Sequence, residues 1–287
     1  MLNAFTVDLE DWYQGLEIDS SRWPSYEDRL EVGCHRLLLL LDEAGVKATF
    51  FALGYAAERH PGLIADIADA GHEIGTHGYA HEFVYRVGAE SFKSDVVRSK
   101  EILEAILGPS RAICGHRAPY FSITEGCEWA FDVLQECGIS YDSSVFPVRN
   151  YRYGMPRSPR TIHRIRKNLI EFPLSTYTVG GYNLPISGGA YFRILPYTLT
   201  RHCLRRLNAF GQPVAFYIHP WELDPDHPRL PLPRRIRLTH YWNLGQTEAK
   251  LRRLLKDFAF TTMGAIVHSA FTAGARVECA SPEGSSP

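Results

Sequence analysis

The sequence predicts an α/β protein with parallel strands and a site gathered at one edge of its sheet. Three observations carry that prediction. Short apolar runs alternate with segments in which apolar residues recur every three or four positions, the rhythm of strand and amphipathic helix. Runs such as Val46-Lys47-Ala48-Thr49-Phe50-Phe51-Ala52-Leu53 are near-continuously apolar, as parallel strands covered on both faces tend to be. Five polar residues, Asp8, His77, Arg117, Asp142 and His219, each fall at or just past the end of such a run. In α/β barrels that is where sites assemble. The 287 residues, 45% of them hydrophobic, are ample for a large core and suit one α/β barrel as well as two average domains. A single domain over residues 1–272 is the reading adopted.

The elements follow in order. The first strand spans about residues 4–8 and runs into the carboxylates Asp8, Glu10 and Asp11. A helix over about 26–43 comes next, with Leu30, Cys34, Leu37, Leu38 and Leu41 on one face and Gly45 as its stop. Residues 46–53 make the second strand, Pro61 opens a helix to Ala70, and 73–76 is a short strand that ends at the histidines. A helix over about 90–107 buries Phe92, Val96, Ile102 and Ile106. A strand at 111–114 leads to Arg117-Ala118-Pro119-Tyr120, a helix covers 128–137, and another strand begins at Ser140. Residues 146–195, rich in Pro, Gly, Arg and Tyr, break the rhythm and read as loops with a small β-insertion, Gly188 to Phe192 included. A helix at 199–210, a strand at 214–218 and a last helix at 247–258 restore it. The tail 273–287, Gly- and Ser-rich, is expected to be disordered.

Charge and composition exclude several classes. Thirty-one basic residues balance 32 acidic ones for a net charge of −1, with no long single-sign block. Nothing in that balance argues for a nucleic-acid or anionic-membrane footprint. The six cysteines are scattered, with no CxxC and no Cys/His cluster, so neither a thiolate metal site nor a disulfide framework is expected. Apolar runs such as Leu37 to Leu41 are too short to cross a bilayer. Met1-Leu2-Asn3-Ala4 leads straight into the first strand, so a cytoplasmic location is expected.

The richest segment is Gly71-His72-Glu73-Ile74-Gly75-Thr76-His77-Gly78-Tyr79-Ala80-His81. On a helical turn, His77 and His81 would share one face with Cβ atoms about 5–6 Å apart, close enough to hold one divalent ion. A surface coincidence is the plain alternative for such a pair alone. Two histidines with one carboxylate leave positions open for water, the ligand pattern of a catalytic ion, and they suit zinc. Strand alternation points Asp8 and Glu10 to one side and leaves Asp11 beyond the strand end. One carboxylate can bind metal while another deprotonates water. His219, within Phe216-Tyr217-Ile218-His219-Pro220-Trp221-Glu222, has aromatic neighbours and a carboxylate able to hold its tautomer, which suits a general acid. Arg117 can pair with the base carboxylate, and Tyr120, by ring or backbone N–H, can face an oxyanion. Trp12, Tyr79, Tyr191 and Trp221 suit a sugar-stacking groove or, equally, a core.

Together these segments resemble the polysaccharide deacetylase family (carbohydrate esterase family 4) over about residues 3–225. The family's Asp-pair motif is matched by Val7-Asp8-Leu9-Glu10-Asp11-Trp12 and its metal motif by His77-Gly78-Tyr79-Ala80-His81. Its Arg-x-Pro-Tyr motif is matched by Arg117-Ala118-Pro119-Tyr120, its Asp-bearing motif by Tyr141-Asp142-Ser143-Ser144, and its late histidine by His219. The likeness is closer to the subgroup found with exosortase-linked exopolysaccharide loci, through Gly189-Ala190-Tyr191-Phe192-Arg193 and His219-Pro220-Trp221-Glu222.

The resemblance implies a distorted (β/α)7-type barrel and a metal-dependent N-deacetylase. Its substrate would be an N-acetylated amino sugar of a polysaccharide or its precursor. By carry-over Asp8 is the base, His219 the general acid, Arg117 the orienter of the base and Tyr120 part of the oxyanion hole. His77 and His81 are metal ligands, with Glu10 or Asp11 as the carboxylate, since the usual adjacent Asp pair is here spread over Asp8, Glu10 and Asp11. Gly78 stands where the family has a hydroxyl residue that buttresses the site. Two rivals remain: hydrolysis of another C–N bond, such as a cyclic amide or imide, and a metal-free carbohydrate-binding protein.

Overall fold

The computed structural model describes residues 1–150 and 152–271. Its strands are β1 (Leu2–Leu9), β2 (Thr49–Ala52), β3 (Glu73–Thr76), β4 (Gly115–His116), β5 (Tyr141–Asp142), β6 (His163–Arg166), β7 (Leu169–Glu171), β8 (Thr176–Val179), β9 (Tyr182–Pro185), β10 (Ala215–Ile218) and β11 (Ala259–Thr261). Seven of them run parallel and side by side in the order β10-β1-β2-β3-β4-β5-β7. At the far edge β6 lies antiparallel to β7, and β11 pairs with the start of β1. The sheet curls into a half-barrel. The backbone N–H of Ala215 in β10 reaches the Ser175 hydroxyl, just past β7, at 2.9 Å across the open seam.

Side-chain alternation sorts β1 into two layers. Phe5, Val7 and Leu9 join the large core between the sheet and its surrounding helices. Ala4 belongs to an inner cluster with Phe51, Tyr141, Ile170, Phe172 and Ala215. Met263, Ile266 and Val267, on the helix Met263–Phe271, plug that interior at the N-terminal end of the strands. Further along the same inward face stand Thr6 and Asp8, both bonded to Arg117. Among the helices packed outside is Leu30–Glu43, which buries Leu30, Gly33, Cys34, Leu37, Leu40 and Leu41 at helical spacing. It ends with Gly45 at φ +64°, a left-handed stop that glycine takes without penalty.

Several elements differ from the sequence reading. The first long helix starts at Leu30, because Ser20–Ser25 forms its own short 3-10 helix containing Pro24, capped by the Asp19 side chain. The strand expected at 111–114 reduces to Gly115–His116. Gly188 and Gly189, read as part of a β-insertion, instead open the helix Gly189–Ile194. A Cβ on Gly188 would lie 1.8 Å from the Tyr217 carbonyl oxygen, so these glycines admit close backbone packing on β10. The helices Arg234–Tyr241 and Met263–Phe271 were not foreseen. The 146–195 stretch is only partly an insertion: β7 belongs to the main sheet, while β8 and β9 form a separate hairpin. Cys34, Cys127, Cys137 and Cys203 are free thiols, and Cys114 is disulfide-bonded, a pairing the scattered cysteines did not announce. Residues 273–287, expected to be a disordered tail, lie outside the described residues. No helix among the described residues is long and apolar enough to cross a membrane.

Candidate metal centre

Because the seven strands are parallel, the residues that follow them meet at one edge. Asp8 lies in β1 and Glu10 one residue past it. His77 follows β3, Arg117 follows β4, Asp142 ends β5 and His219 follows β10. The cavity at that edge, about 350 Å³, is lined by Asp8, Glu10, His77, His81, Tyr120 and His219. Tyr153, Tyr191 and Trp221 also line it, which places two of the four expected stacking aromatics there.

Glu10, His77 and His81 bring one ligand atom each to within 4.8 Å of one another, and all three are buried. Among the described residues no other group of three His, Cys, Asp or Glu does this. His81 Nε2 faces Glu10 Oε2 at 2.6 Å. His77 Nδ1 lies 2.7 Å from the Arg117 carbonyl oxygen. A carbonyl only accepts, so the proton sits on Nδ1 and the Nε2 lone pair is left for a ligand. Burial holds the His77 imidazole down at about 4, keeping it neutral and able to ligate near pH 7. Burial alone would raise the Glu10 carboxyl, but His81, His219 and His77 around it hold it at about 2. One carboxylate oxygen and two imidazole nitrogens fit a divalent ion of the zinc type.

The histidines do not lie on a helical turn. They sit on the loop after β3, with Gly78 at φ +72° and His81 at φ +54°, and their ring centroids are 5.2 Å apart. Asp95 braces this loop by accepting the backbone N–H groups of Tyr79 at 2.7 Å and Ala80 at 3.0 Å. A Cβ at position 78 would lie 2.5 Å from Asp95 Oδ2. Gly78 therefore makes room for an acidic brace where the family pattern has a hydroxyl. Sequence reasoning passed over Asp95, whose faint signal was a carboxylate beside Phe92 and Val96 on the buried face of the helix Ala89–Leu107.

The geometry separates the two carboxylates that the sequence left open. Asp11 turns away from the histidines: its Oδ1 accepts the Trp12 N–H at 2.7 Å and its Oδ2 the Arg29 N–H at 2.8 Å. Its place as a metal ligand is corrected on that ground, since both oxygens already anchor the chain entering the first long helix. Burial pushes its carboxyl up to about 7 despite those bonds.

Asp8 and His219 stand beside the metal group with opposite supports. Arg117, fully buried, donates to Asp8 Oδ1 at 2.6 Å and to the Thr6 hydroxyl at 2.8 Å, and is held by the Ser143 carbonyl and hydroxyl. Asp8 Oδ2 lies 3.9 Å from His219 Nε2, which is 3.6 Å from Glu10 Oε1. His219 Nδ1 donates to Glu222 Oε1 at 2.8 Å, and the other Glu222 oxygen accepts from Arg193. Trp221 stacks on the His219 ring at 5.2 Å. Burial would lower the His219 imidazole, but Glu222, Glu10 and Asp8 outweigh it and raise it to about 9. In the sequence Arg193 stands out only as part of a motif, and its buried pairing with Glu222 carries no local signal.

Tyr120 packs its ring edge-on to His81 at 4.3 Å and stacks on Phe83 at 4.0 Å. Its hydroxyl accepts the Glu17 N–H at 3.0 Å, so the phenol is tied to the loop after β1. Asp142 stays out of the cavity. It binds His116 and the Ser144 hydroxyl, each at 2.7 Å, and Ser144 in turn accepts the Ala118 N–H, which steadies the Arg117–Tyr120 loop.

Comparison with known proteins gives two family-model matches: residues 22–141 to polysaccharide deacetylase and residues 143–268 to a domain of unknown function, DUF3473. A peptidoglycan-N-acetylglucosamine deacetylase of Bacillus cereus is 31% identical over 120 residues, 38% of this chain and 43% of that protein. A peptidoglycan deacetylase of Helicobacter pylori is 32% identical over 115 residues, 40% of this chain and 38% of that one. The chain thus spans less than half the length of these relatives. Among solved structures, a candidate polysaccharide deacetylase from Mycobacterium smegmatis superposes with a TM-score of 0.63 at 24% identity, over 98% of this chain and 94% of that one. A CE4 family pseudoenzyme from Bacillus anthracis gives 0.50 at 11% identity, over 93% and 65%. Both likenesses concern the fold.

Proposed function

We propose that this chain is a member of the polysaccharide deacetylase family, a reading supported by the model over residues 22–141 and by the similar curated deacetylases, and that it is a metal-dependent hydrolase removing N-acetyl groups from amino sugars of a polysaccharide or its precursor. The observation that carries the reading is the Glu10, His77 and His81 group, set in one cavity between an Arg-held carboxylate and a Glu-held imidazole. A divalent ion held by those three residues, zinc by the chemistry of the set, supplies Lewis-acid polarisation of the acetamide carbonyl and of the attacking water.

Asp8 Oδ2 takes the proton of that water, while Arg117 on Oδ1 holds the carboxylate in orientation. The charge that develops on the carbonyl oxygen faces the Tyr120 backbone N–H, the phenol being engaged elsewhere. His219 Nε2 delivers a proton to the departing nitrogen, and Glu222 fixes the ring for that transfer. The C–N bond breaks, leaving acetate and a free amine. Tyr153 and Tyr191 offer ring surface for sugars, whereas Trp221 is buried with the His219 and His240 rings stacked on it. The exopolysaccharide assignment rests on the Gly-x-Tyr-Phe-Arg and His-Pro-Trp-Glu segments.

The test is metal content of the purified chain together with acetate release from N-acetylglucosamine oligomers, before and after chelation. One divalent ion per chain, with activity lost to chelator and regained with metal, is the expected result. Bound metal without acetate release would move the reading to another C–N bond. Absence of both would favour a metal-free sugar-binding protein.

A further inference from the structure

At the mouth of the cavity the helix Arg234–Tyr241 lends Arg235, Ile236 and Thr239 to the lining. Its opposite face is open. Arg234, Leu238 and Trp242 recur four apart and so lie in one stripe, with Leu238 and Trp242 each 51% exposed. Ile194, 43% exposed at the end of the adjoining helix Gly189–Ile194, also borders the mouth. From His227 to Thr247 the chain carries Arg229, Arg234, Arg235 and Arg237 and not one Asp or Glu. Among the described residues, Arg229 lies over the Tyr241 ring at 4.9 Å, and none of Arg229, Arg234 and Arg237 makes an ion pair. The whole-chain balance of −1 averages this local charge away, so a count of charges over the full chain does not reveal it.

We propose that this rim is a docking face for an anionic lipid bilayer, seated so that the cavity opens at headgroup level. The patch combines two demands that one occupant meets. Uncompensated arginines call for dense negative charge, and exposed Leu and Trp beside them call for an apolar layer within a side chain's reach. Anionic headgroups over acyl chains provide both, and Trp is suited to that boundary. A soluble acidic glycan satisfies the arginines alone. Saccharide carried on lipid would then reach the site without leaving its membrane.

Docking does not rest on the deacetylase reading, so it is measured on the substrate-free chain. The experiment is co-sedimentation with vesicles of phosphatidylcholine plus phosphatidylglycerol, and with phosphatidylcholine alone, across a salt series. Retention on the anionic vesicles, weakening with salt, is the expected result. R234E/R237E should lower it on the order of tenfold or more. Leu238→Ser/Trp242→Ser should lower it at all salt concentrations, and acetate release from a soluble substrate should be unchanged in both variants. Equal retention on both vesicle types, no retention on either, or binding unaltered in both variants would overturn the proposal. So would retention by a soluble acidic polysaccharide without vesicle binding.

Discussion

Asp8 and Glu10 stand two residues apart on one strand end, and their partners divide their roles: an arginine grips Asp8, while histidines surround Glu10. Asp8→Asn should cut turnover by ~100- to 10,000-fold, the span of general-base contributions, with metal content unchanged. Glu10→Gln should lose the bound ion, whereas Asp11→Asn should keep it, because Asp11 is spent on the backbone of Trp12 and Arg29. Metal analysis of the three variants decides between the carboxylates. The general acid adds a pH test. His219 is raised to about 9, with Glu222 the largest of the groups that raise it against burial, so its proton is present below that pH and kcat/KM should fall above it. Glu222→Gln removes the neighbouring charge and should move that alkaline limb to lower pH, read from a kcat/KM profile.

Elements explain how that arrangement is held. Helix Leu30–Glu43 comes so close to the turn Pro220–Leu223 that a Cβ on Gly33 would lie 2.0 Å from the Pro220 carbonyl oxygen. Gly33→Ala should therefore cost about 1–3 kcal/mol in a denaturant titration, as overpacking does, and lower acetate release by displacing neighbouring His219. Such contacts mark how far the elements are legible in the sequence. Strands β2 and β10 could be read because burial on both faces makes them almost wholly apolar, and β1 because Phe5, Val7 and Leu9 alternate with Thr6 and Asp8. Strands β4 and β5 have two residues each, too few to show a period, yet Arg117 and Asp142 beside them still marked their ends. Helix Arg234–Tyr241 was hidden by Pro231 and Pro233 before it and by its polar make-up. The left-handed turn at His81 depends on Asp95, fourteen residues away in sequence and invisible to local spacing.

At the scale of the molecule, the two family-model matches meet between residues 141 and 143, yet the sheet ignores that boundary. β1 pairs with β10 and β11 as well as with β2, and β7 pairs with β5. Neither half has a complete sheet of its own. Fragments 1–142 and 143–287 expressed separately should fail to fold, and the whole chain should unfold in one transition, with circular dichroism and tryptophan fluorescence giving coincident curves. The same pairing has a consequence in time. The strand that bears Asp8 is made well before its neighbour Ala215–Ile218, which follows more than two hundred residues later, about 10–40 s at ordinary rates of synthesis. Throughout that interval one edge of β1 is unfinished. Glu10, His77 and His81 all belong to the earlier-made stretch, whereas His219 arrives only with the late strand, so a growing chain holds its three ion ligands well before its proton donor.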